Sequence, residues 1–283
     1  MKLRRPLGLV LSGGGAHGAW QAGVVDALTS KHGLNFDPVI GISAGALTGA
    51  GYALNRMPEL NRRWRAIDSA KILRFMPRMR PSSLFSNDSI YESIEFARDE
   101  ERAKQNLRCR LTIVGVCRKD RVPVYAHFAP EPEAAWSPPL ADWLVASCSI
   151  PGIFPPVDVE LEGQPYTLID GGCKTKRSLC FSDLNECQDV IVLDMKKPGT
   201  FGKGISDRLR RMRPGSLPAS PTLFHGIAEL RRIPKPPRIF LFYPTKPFEQ
   251  SSLEFKESAC VPWLEQGLED ADFLLENLEA YRV

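Results

Sequence analysis

The residues of this sequence best suited to chemistry are a serine, an aspartate and a run of glycines. Ser43 stands at the centre of "GISAG" (41–45), between the apolar "PVIGI" (38–42) and the small-residue stretch "SAGALTGAGYALN". In a strand-to-helix setting this GxSxG pattern makes a tight, strained turn that lifts a hydroxyl clear of the backbone. Gly41 and Gly45 remove side chains that would clash where strand and helix nearly touch. The first amides of the following helix favour negative charge in front of them. Such a hydroxyl can attack an ester carbonyl, provided that a base takes its proton.

Two residues compete for the role of base. Asp170, in "YTLIDGG" (166–172), ends an apolar run, and Gly171-Gly172 let the chain turn sharply there. A carboxylate so placed accepts the serine proton directly if partial burial raises its pKa. An ordinary Asp-Gly turn is the competing reading. The histidines are His17, His32, His127 and His225, and the order Ser43, Asp170, His225 matches an α/β-hydrolase triad. That fold places several strands before its nucleophile, whereas only one precedes Ser43, and His225 has no strand end beside it. A surface or packing role suits His225 better.

The glycines are Gly13, Gly14 and Gly15, followed by Ala16, His17 and Gly18. Together they contain GxGxxG, a weak signal for a dinucleotide site. That site needs an acid at the carboxyl end of the second strand. Asp37 precedes "PVIGI" and so sits at the opposite end, and no Gly-Lys-Ser/Thr follows to make a phosphate loop. Loops that follow two parallel strands open at one sheet edge, so these glycine amides can face Ser43. A backbone N–H aimed at a developing oxyanion contributes about 3–4 kcal/mol to catalysis. A tight crossing of small residues is the bland alternative.

The elements that must position these groups follow from hydrophobic patterning. "LGLVLS" (7–12) and "PVIGI" read as strands buried on both faces, and "AHGAWQAGVVDALTSKHG" (16–33) as a helix stopped by Gly33. Strand, helix, strand, helix at the start argues for a parallel α/β sheet. Further strands are expected at 110–117, 122–127, 166–170, 189–195 and 238–244, and a helix over 139–150 ended by Pro151. From Trp263 onward, Leu264, Leu268, Ala271, Leu275 and Leu278 recur at helical spacing. Two stretches, 72–85 and 196–221, mix Pro, Gly, Arg and apolar residues and read as loops or covers over a site.

Composition narrows the function classes. A net charge of +4 is too mild to argue for nucleic acid. The charge is uneven: nine Lys/Arg against two Asp/Glu over 203–238, then eight acids against one Lys over 254–279. These stretches are expected to be solvated faces that pair with each other or with water, the sharper alternative being contact of the basic one with an anionic membrane. Seven scattered cysteines, with no CxxC, fit reduced thiols in a cytoplasmic protein and give a zinc site little support. The apolar run after the basic start is too short for a signal peptide, and none approaches a membrane span. One domain over 1–283 is expected, with its core motifs in 8–195 and a C-terminal cover and helix in 196–283.

In order and spacing, "SGGGAHGAWQAGVVDAL", "GISAGAL", "ASCSIPGIFPPV" (146–157) and "DGG" resemble the patatin-like phospholipase family of lipid acyl hydrolases. The resemblance implies a three-layer α/β/α fold with a mostly parallel central sheet. It implies a Ser–Asp dyad without histidine, with Ser43 as nucleophile and Asp170 as general base, and Gly13, Gly14 and Gly15 as oxyanion hole. Gly18, Gly41, Gly45, Gly171 and Gly172 complete its motifs. The substrate class it implies is a lipid acyl ester; no metal or other cofactor is expected, and peripheral membrane contact stays the alternative that the basic stretch raises. Two departures stand out: His17 where the family often has Arg or Lys, and Cys173-Lys174-Thr175-Lys176-Arg177 where many members have Asn and Pro. They motivate the alternative of a catalytically weak lipid- or membrane-binding regulator with the same fold.

Overall fold

The computed structural model describes residues 2–195 and 221–283. Strand β1 (Leu7–Leu11) leads through helix α1 (Gly18–Asp26) to β2 (Val39–Ile42), α2 (Ala44–Ala53) and α3 (Met57–Arg65). A short α4 (Ser69–Ile72), β3 (Phe75–Met79), β4 (Ser82–Phe85), α5 (Asp88–Ser93) and α6 (Glu100–Asn106) follow. The remainder is β5 (Leu111–Cys117), β6 (Pro123–Phe128), α7 (Leu140–Ser147), β7 (Val157–Leu161), β8 (Gln164–Ile169) and β9 (Asp189–Leu193). It closes with α8 (Pro221–Leu230), β10 (Arg238–Phe242) and α9 (Glu257–Glu276).

Among the described residues, eight strands form one sheet in the order β10-β9-β1-β2-β5-β8-β7, with β6 also paired to β5. Strands β10, β9, β1, β2 and β5 are parallel neighbours, while β6 and β8 join β5, and β7 joins β8, in antiparallel sense. The central strands are covered on both faces, which is why their sequences are unbroken apolar runs. Leu7, Leu9 and Leu11 enter one core with α1, α2 and α9. Val10, Val190, Val192, Ile239 and Leu241 enter a second core, closed by Leu179, Phe181 and Leu184 and by Leu223, Ile227 and Leu230 of α8. The result is the expected mixed α/β architecture with a mostly parallel sheet between two outer layers.

Several sequence expectations need correction. The stretch 72–85, read as a loop or cover, contains the antiparallel hairpin β3–β4. It shows no strand alternation because all five residues of β3 are exposed. Strand β7 was not anticipated. Its hairpin with β8 turns at Glu162 and Gly163, both with positive φ (52° and 73°), as a two-residue turn requires. Helix α7 stops at Ser147, short of Pro151, and α9 starts at Glu257 with Pro262 inside it. The acids of α9 reach the N-terminal half: Asp272 holds Lys31 and His32 at 2.6 Å each, and Glu265 pairs with Arg65. Residues 196–220, the body of the second expected cover and half of the basic stretch, lie outside the described residues.

At the far rim of the sheet, β9 starts with Asp189, whose side chain is fully buried. It accepts hydrogen bonds from Arg4 N and Nε (2.6 and 3.1 Å) and from Arg238 Nε and Nη2 (2.7 and 2.6 Å). This clamp ties the N-terminus and β10 to β9. Removing one partner of a buried ion pair is strongly destabilising because the other charge stays buried. Arg4 is half exposed and compensates only in part. Arg238→Ala is therefore expected to lower unfolding free energy by roughly 2–4 kcal/mol in a urea titration.

Candidate active site

Ser43 joins β2 to α2 with φ 54° and ψ −128°, a conformation that side-chain-bearing residues rarely adopt. Neighbouring groups hold it there. Its N–H donates to Ser147 Oγ at 2.9 Å, and that hydroxyl donates to Val114 O of β5 at 2.7 Å. The helix presses against the sheet so closely that a Cβ on Gly41 would lie 2.5 Å from Ala46 Cα, and one on Gly45 2.7 Å from Ser12 O. Both glycines of the motif are thus required by backbone contact.

Asp170 lies immediately beyond β8. Ser43 Oγ donates to its Oδ2 at 2.6 Å, and Gly172 N–H donates to its Oδ1 at 2.7 Å. The turn is pinned from "ASCS": Asp170 N–H donates to Ser149 O at 2.9 Å and Gly171 N–H to Ser147 O at 3.1 Å. Strand β5 lies between β2 and β8, and a Cβ on Gly171 would strike Val114 O at its middle. Ser43 and Asp170 are both buried. Burial raises the Asp170 carboxyl to about 6, against the hydrogen bonds from Ser43 and Gly172 that favour its ionised form. The adjacent Cys148 thiol is also pushed up, by burial and then by the charge of Asp170.

The glycine loop passes beside the serine: a Cβ on Gly13 would lie 3.0 Å from Ser43 Cβ. Among the described residues the amides of Gly13, Gly14 and Gly15 have no hydrogen-bond acceptor, whereas Ala16 N–H donates to Ser252 O at 2.8 Å. All three glycines are partly open to solvent. Gly18 stands behind, where a Cβ would lie 2.9 Å from Ala44 Cβ. Gln21 Nε2 holds the loop from below, donating to Ser12 O and Leu193 O at 3.3 and 3.2 Å.

Ser43 and Gly15 line a cavity of about 320 Å³. Its walls are mainly apolar, among them Leu47, Leu60, Trp64, Ile72, Ile90 and Phe154, with Arg63, Asp68, Lys71 and Glu92 also present. Such a site suits a ligand with a long apolar part and a polar reacting end.

The other sequence candidates fall elsewhere. His17 is buried, its ring stacked on Phe248 at 4.2 Å and edge-on to Trp263 at 4.8 Å, with Nε2 donating to Gln250 O at 3.2 Å. It latches the glycine loop to the C-terminal segment. His225 is exposed on α8, His32 pairs with Asp272, and His127 with Asp183, so the triad order in the sequence is not assembled around Ser43 by these contacts. Asp37 bonds Arg110 at the opposite end of β2. Lys174, Lys176 and Arg177 are exposed, in a turn held by Lys176 N–H to Arg121 O at 2.8 Å. Among the described residues no cluster of three or more His, Cys, Asp or Glu can hold a metal, and no helix is long and apolar enough to cross a membrane.

Sequence reasoning did not single out Ser147, Ser149 or Gln21. Their signal was present: each is a polar residue in a stretch otherwise fit for burial, and such residues persist inside only when hydrogen-bonded. The roles of Cys148 and the cavity wall had no local signal.

Residues 9–177 match the family model described as patatin-like phospholipase. No curated protein matches the chain significantly. Among solved structures, the chain is similar to VipD from Legionella pneumophila, with a TM-score of 0.52 and 13% identity over 96% of this chain and 67% of that one. It is also similar to the type III effector protein ExoU (TM-score 0.44, 15% identity, 99% of this chain and 55% of that one). The match to the ExoU–SpcU complex of Pseudomonas aeruginosa has a TM-score of 0.40 and 18% identity over 98% of this chain and 53% of that one. The chain thus spans about half the length of the ExoU chains. At these identities the likeness to VipD bears on fold alone. The family match covers more than half of the sequence and includes the serine elbow, the aspartate turn and the glycine loop: this chain belongs to the patatin-like phospholipase family.

Proposed function

We propose that this protein is a serine acyl hydrolase that cleaves carboxylic ester bonds of lipids, phospholipid or another acyl ester, through a Ser–Asp dyad. The observation that carries the reading is the 2.6 Å hydrogen bond from Ser43 Oγ to Asp170 at the end of an apolar cavity. Family membership supports lipid acyl hydrolysis as the reaction class.

In the proposed cycle Asp170 takes the hydroxyl proton as Ser43 attacks the ester carbonyl. The free amides of Gly13, Gly14 and Gly15, with the first amides of α2, stabilise the oxyanion. The protonated Asp170 then gives its proton to the leaving alcohol, and the acyl group remains on Ser43. Water, deprotonated by Asp170, attacks the acyl-enzyme and releases the fatty acid, and the proton returns to Ser43. A carboxylate in water is a poor base for this work, and a pKa near 6 moves Asp170 towards neutrality while leaving it ionised at pH 7–8.

The experiment is hydrolysis of a p-nitrophenyl acyl ester and of a lipid panel with product identification. Ser43→Ala and Asp170→Asn are each expected to reduce turnover by at least about a thousandfold. A fluorophosphonate probe is expected to label wild type at Ser43, and failure to label would leave the non-catalytic lipid-binding reading. The pH profile of kcat/KM is expected to rise through an acid limb near 6.

A stability measurement separates lost chemistry from lost folding. The folded pKa of Asp170 lies above its unfolded value of 3.8, so the stabilisation from binding its proton is fully present below that value and lost as pH rises through 6. At pH 8 the native state holds an unfavourable buried charge, and Asp170→Asn is expected to raise stability by roughly 1–3 kcal/mol while abolishing activity. A destabilised Asp170→Asn protein would contradict this account of the site.

A further inference from the structure

Four of the six exposed large apolar side chains among the described residues lie on one hairpin. Phe75 is 72% exposed, Met76 47%, Met79 94% and Leu84 47%. All five residues of β3 are exposed, and a bulge between Phe75 and Arg78 puts Phe75 on the face of Phe85, whose ring it meets at 6.3 Å, and Met79 on the opposite face with Leu84. An apolar cluster at such a density on a surface marks an interaction site.

The same segment is basic throughout. From Lys71 to Asn87 it carries Lys71, Arg74, Arg78 and Arg80 and no acid. Arg74 is held by Glu92 through both carboxylate oxygens. Lys71, Arg78 and Arg80 make no ion pair among the described residues. The flanking acids are Asp68, which caps α4 through Ala70 N–H, Asp88 and Glu92. The hairpin tip therefore presents cations interleaved with Met and Phe.

Its base packs against the cavity wall. Leu84 and Phe85 N–H groups donate to Ile153 O at 3.2 and 2.9 Å, and Phe85 packs on Phe154, with ring centres 6.3 Å apart. Phe154, Lys71 and Ile72 all line the cavity that holds Ser43.

We propose that the β3–β4 hairpin docks this protein on an anionic lipid bilayer. Phe75, Met76, Met79 and Leu84 enter the headgroup layer, and Lys71, Arg78 and Arg80 meet anionic headgroups. Exposed apolar side chains thus stand on both faces of β3, which a bilayer takes up together and a folded protein partner covers on one side only, while β4 is seated on the body through buried Ser83. Interfacial binding of this kind combines buried apolar area with electrostatic attraction to anionic lipid. The docking surface borders the Ser43 cavity, so it places that cavity against the layer from which a lipid would enter. This last point rests on the proposed hydrolase activity; the docking itself does not.

The test is flotation of the full chain with vesicles of phosphatidylcholine and phosphatidylglycerol in equal parts, against vesicles of phosphatidylcholine alone. Wild type and Ser43→Ala are expected to bind the anionic vesicles alike and to bind the neutral ones weakly. Phe75→Ser/Met79→Ser and Arg78→Gln/Arg80→Gln are each expected to lower binding about tenfold or more, the arginine contribution fading with added salt. Hydrolysis of the soluble p-nitrophenyl ester is expected to be unchanged in both double variants, which also reports that they are folded. Wild-type binding that ignores phosphatidylglycerol, or hairpin variants that bind like wild type, would overturn the proposal. So would sedimentation showing a wild-type dimer that the hairpin variants convert to monomer, since a second copy would then cover the surface. Hairpin-dependent binding by a protein that cleaves no ester would sustain the docking and remove the hydrolase reading.

Discussion

A 2.6 Å hydrogen bond between two buried side chains, Ser43 and Asp170, sets the constraint that the surrounding structure meets. The two residues follow β2 and β8, which do not touch, because β5 runs between them. To meet, both turns must close over the middle of β5 and crowd the carbonyl of Val114. That is where the chain lacks side chains: Gly41 and Gly45 where α2 meets the sheet, and Gly171 against Val114 O. Ser147 fills the remaining gap with one hydroxyl, taking the Ser43 N–H and giving its own proton to Val114 O.

The arrangement is locally unfavourable. Ser43 sits at positive φ, and Asp170 holds a carboxylate where burial resists its ionisation. Neither would persist in an isolated turn. They are over-determined by a sheet packed on both faces and by the 147–149 segment, whose Ser147 hydroxyl bonds the serine turn and whose carbonyls bond the aspartate turn. Strain and desolvation of this kind are a usual accompaniment of reactive groups.

The site also draws on residues far away in sequence. Ser252 accepts the Ala16 amide, Phe248 and Trp263 enclose His17, and Phe255 lines the cavity. The C-terminal segment thus completes the wall over the glycine loop, and His17 serves as its anchor. That packing accounts for the departure from the basic residue frequent in the family. An imidazole stacked on Phe248 and edge-on to Trp263 contributes shape at this position, and the cations that face solvent near the cavity lie instead in the 71–80 stretch.

What the sequence determined by itself was local. Continuous apolar runs announced strands covered on both sides, and GISAG, DGG and the glycine triplet announced sharp turns, because a backbone bent that tightly restricts which residue types fit. The meaning of Asp170 was not local. The same Asp-Gly turn suits a solvent-exposed hairpin, and only the strand order carries its carboxylate to Ser43. The stretch 72–85 was illegible for a related reason: neither face of β3 is buried, so no alternation is imposed on it. The bonds of Ser147 and Ser149 and the shape of the cavity likewise depend on which elements become neighbours. Burial patterns write element type into a sequence residue by residue, whereas a site assembled across β2, β8, α7 and the C-terminal segment exists only once long-range packing has chosen their positions.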